Sequence, residues 1–337
     1  MSWLELRLET VSADAEALET VLLDLGAVSV TLTDAEDQPL FEPPPGETPL
    51  WQKLVVTALF PEEYTDEEAS TTLLLEFSQL WQPRSLPPMR HSILADKDWI
   101  RAWLDDFKPM QFGHRLWVCP SWYQPEQQAA LPAASQWQPD AEQTRYWVSR
   151  NQQQLAAMRQ PGNTVLLLDP GLAFGTGTHP TTSLCLQWLD SQALQGLTLV
   201  DYGCGSGILG IAALLLGAAK VYGIDNDPQA LTATADNCTK NTLDSAGFPI
   251  YLPNEFMQQI ASGAVQKVDG MMANILAGTL MQLAETLALQ VKAGGWILLS
   301  GILCEQADAV IATYAPWFRN FVVAAEGDWV RITATRV

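Results

Sequence analysis

The chain opens with a strand-like pattern followed by a helix-like one. Apolar and polar residues alternate over Trp3 to Leu8, which predicts a strand. From Ala15 to Leu25 apolar residues recur at helical spacing. We therefore expect a helix there, capped by Ser12 or Asp14 and ended by Gly26.

The same alternation of elements continues to about residue 95. Strands are predicted at Val28 to Leu32, at Trp51 to Phe60 and near Arg90 to Ala95, and a second helix at Asp66 to Leu80. This β-α-β-β-α-β order predicts a small ferredoxin-like α+β domain over residues 1–95. Its sequence contains no glycine-rich loop, metal-ligand cluster or nucleophile constellation. We expect this domain to hold a substrate for chemistry that the rest of the chain performs.

Two further segments precede the second domain. Residues 96–123 are predicted to be a linker, with a short charged helix from Asp96 to Phe107 and then a strand-like stretch. Residues 124–162 contain ten glutamines and have weak periodicity, apart from a helix-like stretch around Arg145 to Arg159. Such a composition buries little apolar surface, so we predict a mobile surface insertion without a catalytic role.

From residue 163 to residue 337 strand-like and helix-like segments alternate regularly. This alternation predicts an α/β fold with a doubly wound, mostly parallel sheet covered by helices on both faces. The last two strands, Phe321 to Ala325 and Trp329 to Ala334, are separated by a short Gly-Asp turn and are expected to form an antiparallel hairpin at the edge. A doubly wound sheet with such an edge is the layout of class I methyltransferases.

Composition and charge narrow the class of partner. The 337 residues carry 18 Lys and Arg against 38 Asp and Glu, a net charge of −20, which disfavours nucleic-acid binding and suits a basic partner. The five cysteines form no CxxC or CxxH pair, so neither a disulfide framework nor a zinc site is expected. The N-terminal residues do not resemble a secretory signal, and no apolar run approaches the length of a membrane span. We expect a cytoplasmic protein.

A glycine-rich loop follows the strand LTLVDY. The loop reads DYGCGSG, with glycines at Gly203, Gly205 and Gly207, and so differs from the GxGxxG pattern of nicotinamide-binding enzymes. Asp225 ends the next strand, where a carboxylate can accept hydrogen bonds from both hydroxyls of a ribose. This combination indicates an S-adenosylmethionine site. Asp201 either contacts that cofactor or holds loop amides, and Cys204 is expected to be a packed side chain.

Two more motifs flank the glycine loop in sequence. Upstream, the stretch LDPGLAFGTGTHPTT brings Thr181 and Thr182 to a helix start, where they either cap the helix or contact a ligand. His179 either accepts a proton or fixes the loop. Downstream, Asn274 stands at the end of the strand before ILAG. Its amide carbonyl is placed to orient an attacking amine, unless it is simply a buried turn asparagine.

The combination of these motifs resembles the PrmA family of ribosomal protein methyltransferases. The resemblance lies in DPGLAFGTGTHPTT, DYGCGSGILGIAA, GIDNDP, NILAG and LSGIL, together with FEPPPGET and DKDWIRAW earlier in the chain. It covers nearly all of the chain, and the combination is far more specific than the glycine loop alone.

The resemblance implies an activity and a set of site residues. It implies an N-terminal domain that recognises large-subunit ribosomal protein eleven and a C-terminal domain that methylates lysine ε-amines and the N-terminal α-amine of that protein. The alternative is a methyltransferase of the same fold that acts on another protein amine. The chain is expected to be a monomer that binds no nucleic acid directly. Cofactor contacts are implied for Thr182, Gly203, Gly205, Asp225 and Asn274, with Phe174, Gly175 and Thr176 closing over the cofactor.

Overall fold

The computed structural model describes residues 2–36, 50–82, 84–95, 107–123, 148–169 and 178–337. The chain divides into two compact units, residues 1–106 and 107–337. The hydrophobic clusters fall within one unit or the other, so each unit is described by itself. Within the described ranges, no helix has the length and apolar character needed to cross a bilayer.

The first unit contains a four-stranded antiparallel sheet with two helices. The sheet order is β2-β3-β1-β4, as in a ferredoxin-like fold. Its elements are β1 Ser2–Val11, α1 Ser12–Asp24, β2 Ser29–Asp34, β3 Lys53–Phe60, α2 Glu67–Leu80 and β4 Met89–Ala95. This is the β-α-β-β-α-β order that the sequence pattern predicts.

The core of this unit is formed by side chains from one face of the sheet and one face of each helix. Alternate residues are buried over Leu4 to Leu8 of β1 and along the whole of β3, and these side chains pack against the apolar stripes of α1 and α2. Asp66 caps α2, because its carboxylate accepts hydrogen bonds from the amides of Glu68 and Ala69. By contrast, α1 begins at Ser12 directly after β1 and has no side-chain cap, so the predicted capping by Ser12 or Asp14 is wrong.

The second unit begins with a three-stranded sheet, in the order β5-β6-β7. Its strands are β5 Met110–Phe112, β6 Leu116–Cys119 and β7 Thr164–Leu167. The helix α3, Gln152–Met158, belongs to the glutamine-rich segment, and its Leu155 and Met158 are buried. This end of the segment is therefore packed, because two apolar residues three positions apart share one helix face. Residues 124–147 lie outside the described residues, as does the predicted linker helix from Asp96 to Phe107 except for its last residue.

A seven-stranded sheet forms the centre of the second unit. Its order is β10-β9-β8-β11-β12-β14-β13. The first five strands are parallel, β14 runs antiparallel to them, and β13 pairs antiparallel with β14. The strands are β8 Thr198–Tyr202, β9 Lys220–Ile224, β10 Ile250–Tyr251, β11 Val268–Asn274, β12 Val291–Leu303, β13 Phe318–Glu326 and β14 Trp329–Arg336. The predicted doubly wound sheet and its antiparallel hairpin edge are both confirmed.

Helices cover both faces of this sheet, and the direction of its strands identifies the edge at which a ligand would bind. They are α4 Pro180–Ser191, α5 Ile208–Leu215, α6 Pro228–Lys240, α7 Pro253–Ala261, α8 Ala277–Gln290 and α9 Ala307–Tyr314. Residues of α4 and α5 belong to the cluster on one face, and residues of α8 and α9 to the cluster on the other. The parallel strands end at one common edge, and β14, running in the opposite direction, begins there. In doubly wound sheets ligands bind at this edge.

Candidate active site

The glycine loop after β8 has a backbone that side chains would obstruct. Gly203, Gly205 and Gly207 have φ angles of +75°, +54° and +78°, in the left-handed region that favours glycine. A Cβ atom on Gly203 would collide with the side chain of Ile275, and one on Gly207 would lie 2.8 Å from Thr234 Cγ2. The loop is therefore glycine-rich for two reasons, backbone conformation and close packing.

Hydrogen bonds from two neighbouring elements hold this loop in place. The amide of Gly203 donates to the carbonyl of Ile224 at 2.7 Å, at the end of β9. From α6, the Thr234 hydroxyl donates to the Gly205 carbonyl and the Asn237 amide to the Ser206 carbonyl, both at 2.9 Å. Sequence analysis missed Thr234 and Asn237, although polar residues three apart on the buried face of a helix are a recognisable signal.

Asp225 connects the loop to the end of β9. Its Oδ2 accepts a hydrogen bond from the Gly205 amide at 2.9 Å, and its Oδ1 accepts one from the Asp227 amide at 3.0 Å. Both oxygens are thereby oriented and keep further acceptor capacity. A half-buried carboxylate beside the half-buried backbone of Gly205 fits the vicinal hydroxyls of a ribose.

Asp201 has a different role from Asp225. It is 1% exposed, and its Oδ2 accepts a hydrogen bond from the Gly210 amide in the first turn of α5 at 2.9 Å. Burial raises the pKa of this carboxyl to about 7. Of the two alternatives for Asp201, the structure favours the one in which it holds a backbone amide. Burial likewise raises the pKa of the Cys204 thiol, which suits a packed side chain.

The start of α4 brings His179 and Thr181 together. His179 is the N-cap residue, and its Nδ1 accepts a hydrogen bond from the Thr181 amide and lies 2.7 Å from the Thr181 hydroxyl. Its ring packs edge-on against Trp329 of β14, with 4.9 Å between centroids. Nδ1 is thus committed to capping, which leaves Nε2 for any proton transfer.

Thr182 and Asn274 meet between α4 and β11. Thr182 is 2% exposed, and its hydroxyl accepts a hydrogen bond from Asn274 Nδ2 at 3.3 Å. This bond directs the amide nitrogen of Asn274 towards α4 and leaves the amide oxygen free to accept. Asn274 is the last residue of β11 and directly precedes Ile275, which packs at the glycine loop. The structure therefore brings together Thr182, Asn274 and the glycine loop.

Three predicted contacts cannot be placed. Phe174, Gly175 and Thr176 lie outside the described residues. Elsewhere in the described part of the chain, no group of three or more His, Cys, Asp or Glu side chains is arranged to bind a metal ion.

A row of polar side chains crosses the sheet at this edge, on the face covered by α4. In a strand, residues two positions apart lie on the same face. Asp201, Asn274 and Ser300 each follow by two positions an apolar residue of the cluster on the α4 face; these apolar residues are Leu199, Met272 and Leu298. Arg331 of β14 lies on the same face, because its neighbours Val330 and Ile332 belong to the opposite cluster. Arg331 was not singled out from the sequence, because nothing in the pattern of an edge hairpin distinguishes it from its neighbours.

The sheet order, the glycine loop joined to an acidic residue at the next strand end, and the polar strand end of β11 define a class I methyltransferase, which uses S-adenosylmethionine as its methyl donor. The model of the ribosomal protein L11 methyltransferase (PrmA) family matches residues 2–132 and 130–337. The chain belongs to that family.

Individual relatives agree with this assignment. A protein of Azotobacter vinelandii named ribosomal protein L11 methyltransferase is 47% identical over 336 residues, with 100% of both chains covered. One of Cellvibrio japonicus with the same name is 44% identical, with 100% of this chain and 99% of the relative covered. The crystal structure of a ribosomal protein L11 methylase from Lactobacillus delbrueckii subsp. bulgaricus matches with a TM-score of 0.50 and 26% identity, covering 68% of this chain and 99% of that one.

Proposed function

We propose that this protein transfers methyl groups from S-adenosylmethionine to ribosomal protein L11, at lysine ε-amines and at the N-terminal α-amine. The observation that carries the proposal is the pairing of Asn274 with Thr182 beside a glycine loop tied to Asp225. This arrangement offers acceptors for a ribose at one strand end and an acceptor for an amine at another. Family membership supports L11 as the substrate.

The residues proposed to hold the cofactor surround the glycine loop. Asp225 would accept hydrogen bonds from the ribose hydroxyls, and Gly203 and Gly205 would let the backbone approach the ligand. Thr182 would contact the cofactor from α4, and the resemblance adds Phe174, Gly175 and Thr176 as residues that close over it. When bound, S-adenosylmethionine supplies an electrophilic methyl group on a positively charged sulfur.

Asn274 is proposed to position the amine. Its Oδ1 would accept one N–H of the attacking group, which aims the nitrogen lone pair and contributes through orientation. A free lysine has a pKa of about 10.4, so only about one in a thousand is neutral at pH 7. The half-buried site would favour the neutral amine by desolvation. Any role of His179 as proton acceptor would go through Nε2, because Nδ1 caps α4.

The other unit is proposed to recognise the protein substrate. The first unit has a ferredoxin-like sheet with its own core. Of the residues 96–123 that the sequence predicts to be a linker, 107–123 belong to the second unit, so residues 96–106 would link the two units. We further propose that the protein acts in the cytoplasm as a monomer and does not bind nucleic acid directly, consistent with its net charge of −20.

Intact-mass spectrometry of unmethylated L11 incubated with the protein and S-adenosylmethionine tests this proposal. We expect a ladder of methyl additions, and peptide mapping should place them on lysines and the N-terminal amine.

The Asp225→Asn variant should bind S-adenosylhomocysteine at least about tenfold more weakly, because it loses charge-assisted acceptors. Asp227→Asn, which alters only an exposed helix cap, is the matched control. Unmodified L11 in the presence of a protein that binds the cofactor would point to another protein amine.

A further inference from the structure

Arg331 is a buried cation whose hydrogen-bonding capacity is largely unused. The residue is 8% exposed, and its Nε and Nη1 have no hydrogen-bond partner among the residues that the structure describes. Burial lowers the pKa of its guanidinium, although arginine remains charged. A buried donor without an acceptor costs about 1–3 kcal/mol, and more when it is charged. An anionic or carbonyl acceptor brought by a ligand would remove this cost.

The position of Arg331 places it at the active-site edge. It lies opposite an irregularity in β12, between Leu299 and Ile302, that contains Ser300. Ser300 is the register partner of Asn274. On the helical side, burial raises the pKa of the Cys185 thiol of α4, and Arg331 is close enough for its charge to oppose that rise. Trp329, two residues before Arg331, packs against His179 at the start of the same helix. Arg331 is thus in the layer between the first turns of α4 and the sheet.

Distances across the sheet relate Arg331 to the proposed ribose contact. Asp225 directly follows β9, and Arg331 belongs to β14. The sheet order between these strands is β9-β8-β11-β12-β14, so they are separated by four strand spacings. At about 4.8 Å for each spacing, this is roughly 19 Å. For its carboxylate to meet Arg331, a cofactor held by its ribose at Asp225 would have to extend its amino-acid end past the glycine loop and Asn274 towards β12. The side chain of Arg331 starts at β14, is buried on the face covered by α4, and is long enough to cover part of this distance.

The positive charge of Arg331 decides which of the two reactants, the amine substrate or the cofactor, can bind beside it. A lysine or N-terminal amine is a cation in water, and a guanidinium repels it. The cofactor carries a carboxylate at its amino-acid end, and arginine pairs with carboxylates in a bidentate manner.

We propose that Arg331 binds the α-carboxylate of the methionine portion of S-adenosylmethionine. This inference rests on the proposed function for the identity of the cofactor. It assigns to β14 a cofactor contact that is separated in sequence from the glycine loop and from the helix start. Arg331 would then fix the far end of the ligand while Asp225 fixes its ribose.

Isothermal titration calorimetry of the full chain with two ligands tests the proposal. S-Adenosylhomocysteine has the carboxylate, and 5′-methylthioadenosine lacks the whole amino-acid end. We expect Arg331→Met to weaken S-adenosylhomocysteine binding by about ten- to a hundredfold and to leave 5′-methylthioadenosine binding unchanged, because the charge-assisted pairing with the carboxylate is lost from the first ligand alone. Arg331→Lys, which keeps the charge, should lose less. Arg319→Met, which removes an exposed arginine from β13, should change neither ligand.

The other outcomes each overturn the assignment. Equal weakening of both ligands would give Arg331 a structural role only. Unchanged binding of both ligands with reduced methylation of L11 would make it a substrate contact instead. Thermal unfolding without ligand checks that the variant folds, and we expect Arg331→Met to be at least as stable as the wild type, since it removes an unpaired buried charge. If the wild-type protein binds neither ligand, the proposed function fails before this inference is reached.

Discussion

At the scale of single residues, two aspartates at neighbouring strand ends show how environment separates their roles. Asp225 accepts hydrogen bonds from two backbone amides and is half-buried, so it can accept further hydrogen bonds, as the proposed ribose contact requires. Asp201 is buried and accepts one amide hydrogen bond, and burial raises its pKa to about 7. The first is suited to contact a ligand, and the second supports the helix that follows the loop.

The raised pKa of Asp201 predicts a pH-dependent effect on stability. The folded protein keeps the proton of this carboxyl up to about pH 7, whereas the unfolded chain releases it near the ordinary value of 3.8. The contribution of Asp201 to stability therefore falls as the pH rises between these values. Asp201→Asn keeps an acceptor for the Gly210 amide without the charge. We expect the variant to be more stable than the wild type at pH 8, by at least about 1 kcal/mol, given about 1.4 kcal/mol for each pKa unit.

Urea unfolding at pH 5 and pH 8 measures this effect. The advantage of the variant should shrink at the lower pH, where the wild-type carboxyl is protonated in the folded state. Asp236→Asn, an exposed residue on α6, serves as the control and should show no such trend. A variant that is less stable than the wild type at pH 8 would mean that the ionised carboxylate is needed in the fold.

At the scale of elements, the glycine loop depends on the strand and helix that enclose it. Gly203 has φ +75°, and Ile275, just after β11, occupies the space where its side chain would be. We expect Gly203→Ala to weaken S-adenosylhomocysteine binding by at least about tenfold, because the loop must shift away from Ile275. Adding Ile275→Ala should restore part of the affinity by relieving the collision, as calorimetry of the double variant would show.

Gly196 is a matched control for the backbone conformation. It has φ +76°, but a Cβ atom there would meet nothing within 4 Å. Gly196→Ala should lower stability by about 1–2 kcal/mol from the left-handed conformation alone and leave cofactor affinity unchanged. Similar losses of affinity in the two glycine variants would argue against the role given to Ile275.

The same elements show what sequence patterns can and cannot predict. Period-2 and helical spacing predicted the order of strands and helices in both units, since they report which residues face a core. The motifs also located Asp225, Thr182 and Asn274 at strand and helix ends. Thr234 and Arg331 were not predicted, because their contacts join elements that are distant in sequence. The capping of α1 was predicted wrongly, because its N-cap residue is Val11, the last residue of β1, whose apolar side chain cannot cap a helix.

At the scale of the whole molecule, charge is distributed unevenly between the two units. Residues 1–106 contain 21 acidic and 6 basic residues, and residues 107–337 contain 17 and 12. About three quarters of the net negative charge therefore belongs to the smaller unit. A strongly acidic unit attracts a basic protein and raises its association rate, which agrees with the proposed role of the first unit in substrate recognition.

Deleting residues 1–106 separates recognition from chemistry. The remaining unit keeps both hydrophobic clusters and all described site residues, so we expect it to fold and to bind S-adenosylhomocysteine with nearly unchanged affinity. Methylation of L11 should fall by at least about a hundredfold, because recruitment is lost. Intact-mass spectrometry and calorimetry on the same preparation give both quantities. Normal methylation by the truncated protein would contradict the substrate-recognition role of the first unit.

The strand order of the large sheet also has a consequence for folding kinetics. Although β14 is the last strand in the chain, it lies between β12 and β13 rather than at the outside. Until β14 is inserted, β12 is an unpaired edge, and such edges promote aggregation of folding intermediates. Because Arg331 and Trp329 enter with this strand, the half of the site nearest β14 is assembled only when this late, non-local pairing is complete.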